Sequence, residues 1–204
     1  MEKDEVALGR ETSKSVRKRE TKLKKDIYIT GNSVIIKSVT EKEIDDYLSV
    51  RRVATVFKEE YDADNELWEN MKQKLIDDIK GTNIICLIYQ RKSKAAIGYI
   101  ELEMADMYHP DVGIGILEKE REKGYASEAA VLLIDKAFED EGIEYIEWMT
   151  TEGNEASNRI ARKLGGKIIR KELIIPEDVM ERWGEEISNE EEIPCYVVYG
   201  IYRK

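Results

Sequence analysis

A short apolar run, Val112-Gly113-Ile114-Gly115-Ile116-Leu117, leads into Arg121-Glu122-Lys123-Gly124-Tyr125-Ala126 and then into apolar residues at Ala126, Ala130, Leu133, Ala137 and Phe138. The run is β-branched and bounded by Pro110-Asp111 and a charged cluster, which predicts a strand over 111–117. The later spacing has a helical period and predicts a helix from about 125 to 140. A strand that turns through a basic, glycine-containing loop into a helix commits this part of the chain to an α/β layer. It also builds an anion site, because unpaired N–H groups and the positive end of the helix dipole converge there.

The flanking sequence predicts a mixed α/β fold around one central sheet, first antiparallel and then connected through helices. Ser33–Val39 reads as the first strand, opened by the Gly31-Asn32 turn signal. Thr40 reads as an N-cap with Glu43 completing a capping box, for a helix through about Val53. A second helix covers Asn65 to Ile79 and ends at Gly81, where a left-handed cap is easiest for glycine. Hairpin strands follow at Asn83–Gln90 and Ala95–Met104. After the helix that starts near 125, Glu144–Thr150 alternates as a strand, and Asn154 caps a short helix stopped by Gly165-Gly166. Lys167–Ile175 and Pro194–Tyr202 are strands, with an acidic insertion over 176–193 and a helical turn around Val179–Trp183.

At 204 residues the expected organisation is a basic, flexible extension over 1–26 and a single domain over 27–204. Its 42% hydrophobic and 37% charged residues suit a water-soluble globule. No apolar run approaches the roughly 18–20 residues that span a bilayer, and no secretory h-region is visible, so a cytoplasmic protein without membrane partners is expected. Cys86 and Cys195 each sit in an apolar run and read as buried thiols rather than a disulfide. With His109 the only histidine, a His-rich metal site is excluded and no metal is expected. A Ser-His-Asp triad would need His109, beside Pro110 in a turn. The net charge of −10 argues against a DNA-binding body. The basic run Arg17-Lys18-Arg19, Lys22, Lys24, Lys25 reads either as a solvated tail or as an arm for RNA or another anionic partner.

Gly113 and Gly115 weaken a strand, so they mark a bulge, a tight helix crossing or a close-lying ligand. The segment is not a dinucleotide fingerprint, because the third glycine is missing, nor a P-loop, because Gly-Lys-Ser/Thr is absent. Arg121-x-x-Gly124-x-Ala126 resembles the Gln/Arg-x-x-Gly-x-Gly/Ala pyrophosphate loop of the GCN5-related N-acetyltransferases. Asn154-x-x-Ser157-x-Arg159-Ile160-x-x-Lys163-Leu164-Gly165 is similar to the second signature of the RimJ/RimL-like branch, which modifies ribosomal-protein N-termini. The similarity covers about residues 33–175.

The resemblance implies the GNAT fold, a twisted, mostly antiparallel mixed sheet with helices on both faces, and acetyl-CoA as co-substrate. It places the pyrophosphate on the backbone amides of Arg121, Glu122, Lys123, Gly124, Tyr125 and Ala126. The edge Ile114, Gly115, Ile116 and Leu117 would meet the pantetheine amides, near a split between this strand and the one at 144–150. Asn154 would bind the pantetheine arm, although an asparagine before a helix is as readily a plain N-cap. The implied partner is an amine acceptor, either a protein N-terminus or a small molecule, attacked directly without a covalent enzyme intermediate. Homodimerisation is left open.

A lysine-type amine with pKa about 10.4 costs roughly 4–5 kcal/mol to deprotonate at pH 7, whereas an α-amine near 7.8 costs about 1. Glu101 and Glu103 share one face of their strand, with Tyr99 and Leu102 expected on the other side. They are either a solvated charged face or the base, with Glu103 the first candidate and Glu101 the second. Many members of the family carry a tyrosine seven residues after the signature asparagine, where this chain has Ala161. That shifts the acid to Ser157, with Tyr125 and Tyr196 as distant alternatives. Trp148, Trp183 and Met180 could wall the acceptor entrance, although Trp148 also reads as core. An acyl-CoA-binding sensor without catalysis is the competing function.

Overall fold

The computed structural model describes residues 23, 25–54, 65–105, 107–173 and 195–204. Most of the basic run, and the whole acidic insertion with Met180 and Trp183, lie outside the described residues. In chain order the elements are β1 (Tyr28–Thr30), β2 (Val34–Ser38), α1 (Ile44–Ala54), α2 (Asn65–Lys80), β3 (Ile84–Gln90), β4 (Ala96–Glu103), β5 (Asp111–Ile116), α3 (Tyr125–Ala137), β6 (Tyr145–Thr151), α4 (Glu155–Lys163), β7 (Lys167–Leu173) and β8 (Cys195–Tyr202). They form one eight-stranded sheet in the order β1-β2-β3-β4-β5-β6-β8-β7. Every neighbouring pair is antiparallel except β5 and β6. The expected fold class is the one observed.

Helices cover both faces. Ile100, Leu102, Val112, Leu133, Ile146 and Trp148 belong to the larger core, on the α3 and α4 side. Val39, Tyr47, Leu48, Leu75, Ile85 and Leu87 form a second core under α1 and α2. Ile84-Ile85-Cys86-Leu87-Ile88 runs continuously apolar because β3 is buried on both faces. At Thr40 the backbone N–H and the hydroxyl both donate to Glu43 Oε2, at 2.9 and 2.7 Å, and anchor the 3-10 turn before α1.

Several local expectations are corrected. β1 is an additional strand ahead of the Gly31-Asn32 turn, too short and too exposed to show a pattern. Gly81 has no left-handed cap; its N–H closes a helical bond to the Asp77 carbonyl at 2.7 Å. Cys195 opens β8 and is only partly buried, whereas Cys86 is fully buried. Tyr99 lies on the Glu101 side of β4, packed with Tyr47, as strict alternation along a strand requires.

Candidate active site

The site begins where β5 and β6 separate. Their only pairing among the described residues is Asp111 with Glu147, beside the bond from Glu147 N–H to the Pro110 carbonyl at 2.8 Å. On its other edge β5 pairs with β4, and the Leu117 N–H bonds to the Ile97 carbonyl at 2.9 Å. Antiparallel bonding alternates, so residues 111, 113, 115 and 117 face β4 while Val112, Ile114 and Ile116 direct their peptide groups toward β6. Beyond that bridge, no described residue of β6 pairs with Ile114 or Ile116. The Ile116 carbonyl accepts from Arg121 Nε at 3.1 Å, and the Ile114 N–H and C=O are left with no strand partner among the described residues.

The loop after β5 is shaped for an anion. Glu122 has φ 63 and Gly124 φ 83, so two left-handed residues alternate with ordinary ones and turn successive N–H groups to one side. A Cβ on Gly124 would meet nothing within 4 Å, so glycine is required there by conformation and not by space. The first α3 bond runs from Glu128 N–H to the Gly124 carbonyl at 3.1 Å, which leaves the N–H groups of Tyr125, Ala126 and Ser127 without helical acceptors. The Arg121 side chain is turned inward and braces the end of β5. Gly115 has a different cause: a Cβ there would lie 2.4 Å from the Tyr99 ring and 3.2 Å from Ala54 of α1.

On the β6 side, α4 begins at Asn154, whose Oδ1 accepts from Ser157 N–H at 3.1 Å as an N-cap. The loop before it is held by buried Asn158. Its Nδ2 reaches the carbonyls of Thr151, Glu152 and Asn154 at 2.9–3.0 Å, while Tyr199 donates to its Oδ1 at 2.8 Å. Ser157 Oγ accepts from the buried indole N–H of Trp148 at 2.9 Å.

Carboxylates gather on the α1 side of the vertex. Glu101 is 3% exposed and accepts from Arg51 Nη1 at 2.7 Å, and Arg51 also lies 5.4 Å over the Tyr99 ring. Burial, with Glu103 and Asp111 adding to it, pushes the Glu101 carboxyl up to about 8. The Arg51 guanidinium opposes that shift; with three carboxylates converging, the direction remains upward. Asp111 is opposite Glu103 in the β4–β5 register, and burial followed by the Glu103 charge raises its carboxyl to about 6. Glu147 is satisfied by Arg170 through two bonds of 2.7 and 2.6 Å. Asp111 Oδ1 is buried with no hydrogen-bond partner among the described residues. The chain therefore has an anion loop, an open strand edge and a carboxylate at the vertex of one split.

A sequence model described as "Acetyltransferase (GNAT) domain" matches residues 33–167, well over half the chain. The chain belongs to the GNAT acetyltransferase family. No curated protein matches the sequence. Among solved structures, this GNAT chain is similar to a Vibrio cholerae protein provisionally named a ribosomal-protein-serine acetyltransferase, at 14% identity and TM-score 0.61, over 89% of this chain and 100% of that one. A chimera of the Vibrio cholerae spermidine N-acetyltransferase SpeG with hSSAT shares 13% identity at TM-score 0.63, over 84% and 96%. The microcin self-immunity acetyltransferase MccE, solved with acetyl-CoA and AMP, shares 12% identity at TM-score 0.62, over 85% and 94%. At these identities the likeness is one of fold.

Within the GNAT sheet, Glu101, Glu103 and Asp111 come together, while Asn154 and Ser157 lie on the opposite face beside β6. Glu103 is exposed; Glu101 is the buried one, so the pair is not a solvated face. Tyr125 is engaged, its hydroxyl accepting from Gln90 Nε2 at 2.8 Å. Tyr196 stands opposite Thr151 in the β6–β8 register. His109 contacts Glu144 at 3.0 Å and stacks on Tyr145. Ala161 is fully buried, and Trp148 is core. Asp111, Arg51 and Asn158 were not visible as site residues in the sequence. Asp111 directly after Pro110 reads as a strand boundary, and the Arg51–Glu101 link spans fifty positions.

Proposed function

We propose that this chain is an acetyl-CoA-dependent N-acetyltransferase that acetylates a primary amine by direct attack in a ternary complex. The observation that carries the reading is the β5–β6 split, open at Ile114 and flanked by the Arg121–Ala126 loop. Acetyl-CoA, when bound, supplies the activated acetyl group. The residues present fit it: the loop amides from Arg121 to Ala126 suit a pyrophosphate, the strand edge from Ile114 to Leu117 offers amide-pairing groups, and the Asn154 amide nitrogen is free among the described residues.

On the α1 side, Asp111 takes the proton from the attacking amine, assisted by Glu103, while Glu101 is held by Arg51 behind them. A carboxyl near 6 is ionised at pH 7 and basic enough to serve an α-amine. Ser157 serves the departing thiolate. A protein N-terminus as acceptor, as in the RimJ/RimL-like branch, rests on the Asn154–Gly165 signature. Residues 27–204 acting as one cytoplasmic domain, with Cys86 and Cys195 as thiols rather than a disulfide, belongs to the same proposal.

Amine-dependent release of CoA from acetyl-CoA, measured across N-terminal peptides, polyamines and amino acids, tests the reading. Release with the peptides supports it in full. Binding of acetyl-CoA with no release for any amine leaves the sensor, which Ala161 in place of a tyrosine favours.

A further inference from the structure

Trp148 is 1% exposed and sits one residue past Glu147, the last β6 residue that pairs with β5. An indole N–H only donates, and once buried it must find an acceptor. Here it donates to Ser157 Oγ at 2.9 Å, while the Ser157 N–H is taken by Asn154 Oδ1 at 3.1 Å. A hydroxyl has one proton and two acceptor sites. Accepting from the indole fixes the oxygen and leaves the proton to be given elsewhere, and among the described residues Ser157 Oγ gives no hydrogen bond. Donation into that oxygen also makes the hydroxyl a stronger acid.

We propose that Trp148 is a positioning residue for leaving-group protonation: its N–H holds the Ser157 oxygen so that the hydroxyl proton is directed to the departing sulfur. The inference rests on the acetyltransferase reading above. In the step, the amine nitrogen bonds to the acetyl carbon, the C–S bond breaks with its electron pair moving to sulfur, and the Ser157 proton passes to that sulfur. The hydroxyl is reprotonated from water, and the proton lost by the amine leaves through Asp111 to water. The net products are the amide and the thiol.

The test compares the full-length wild type with Trp148→Phe, using acetyl-CoA and an aryl acetyl thioester whose thiol departs without a proton. With acetyl-CoA, kcat is expected to fall about tenfold or more, the low side of general-acid effects, with KM nearly unchanged. With the aryl thioester the two proteins are expected to turn over alike. Ser157→Ala is expected to show the same donor dependence, and the double variant to be no slower than Ser157→Ala alone. Should Trp148→Phe not fold, Ser157→Ala and Ser157→Thr carry the test, with Thr restoring the acetyl-CoA rate. Equal loss on both donors, or no loss on acetyl-CoA, overturns the proposal. A wild type that binds acetyl-CoA but turns over no amine fails the acetyltransferase reading itself, and this inference with it.

Discussion

Asp111 combines two properties that rarely coincide in a structural carboxylate: a buried oxygen without a partner and a proton affinity shifted toward neutrality. If it is the base, kcat/KM falls as the pH drops through about 6, where the carboxyl protonates. Asp111→Asn is then expected to lower kcat/KM by about 10²-fold and to flatten that acid limb in a pH–rate profile. Glu103→Gln separates the neighbours, since a limb abolished there and retained in Asp111→Asn moves the base to Glu103. Arg51 gives a stability prediction. The Glu101 carboxyl is raised in the folded state, to about 8 against about 4.3 unfolded, so protonation favours folding at low pH and that contribution is lost as the pH rises toward 8. Arg51→Met leaves the carboxylate unpaired and is expected to destabilise by about 1–3 kcal/mol at pH 8 and by less at pH 5 in urea unfolding.

The two elements bordering the split are set by different glycines for different reasons. At Gly124 the left-handed φ lets the loop turn its amides to one side before α3 starts. Gly124→Ala is expected to cost about 1 kcal/mol of stability and to weaken CoA binding in calorimetric titration. At Gly115 the constraint is the Tyr99 ring, and Gly115→Ala is expected to destabilise by about 1–3 kcal/mol through overpacking. Because Gly115 serves the α1 contact, that variant should retain CoA affinity once folded; a selective loss of CoA binding would assign Gly115 to the ligand instead. Asn158 holds the β6–α4 loop through its Nδ2 and is itself fixed by the Tyr199 hydroxyl at its Oδ1, which explains how an exposed Asn154 keeps a defined place.

At the scale of the molecule, among the described residues β1 to β5 and β6 to β8 pair continuously on either side of the split, while β5 and β6 pair only at Asp111 and Glu147. On the proposed reading, a ligand in the split would join the two halves of the sheet. Acetyl-CoA at about 100 times its Kd is therefore expected to stabilise the fold by about 2.7 kcal/mol, read as a rise in Tm, and a chelator to leave Tm unchanged. The order of elements was legible because each rests on local spacing: the Gly31-Asn32 turn, the Thr40–Glu43 cap, the helical period after Gly124 and the Asn154 cap. β1 was illegible because three residues, with only Ile29 half-buried between exposed neighbours, are too few to carry a period. The Gly81 cap was misplaced because a glycine after a helix does not by itself fix φ.

What the sequence determined alone was periodicity and local chemistry: eleven of the twelve described helices and strands, the glycine-containing turn into α3, and the absence of a tyrosine at Ala161. What only the tertiary structure decided was which side chains meet. Arg51 reaches Glu101 across fifty positions, Asp111 faces Glu103, and the Trp148 indole finds Ser157. Burial then raised the Glu101 and Asp111 carboxyls, because desolvation acts on a carboxyl only once the neighbouring elements have packed over it. No spacing along the chain encodes that.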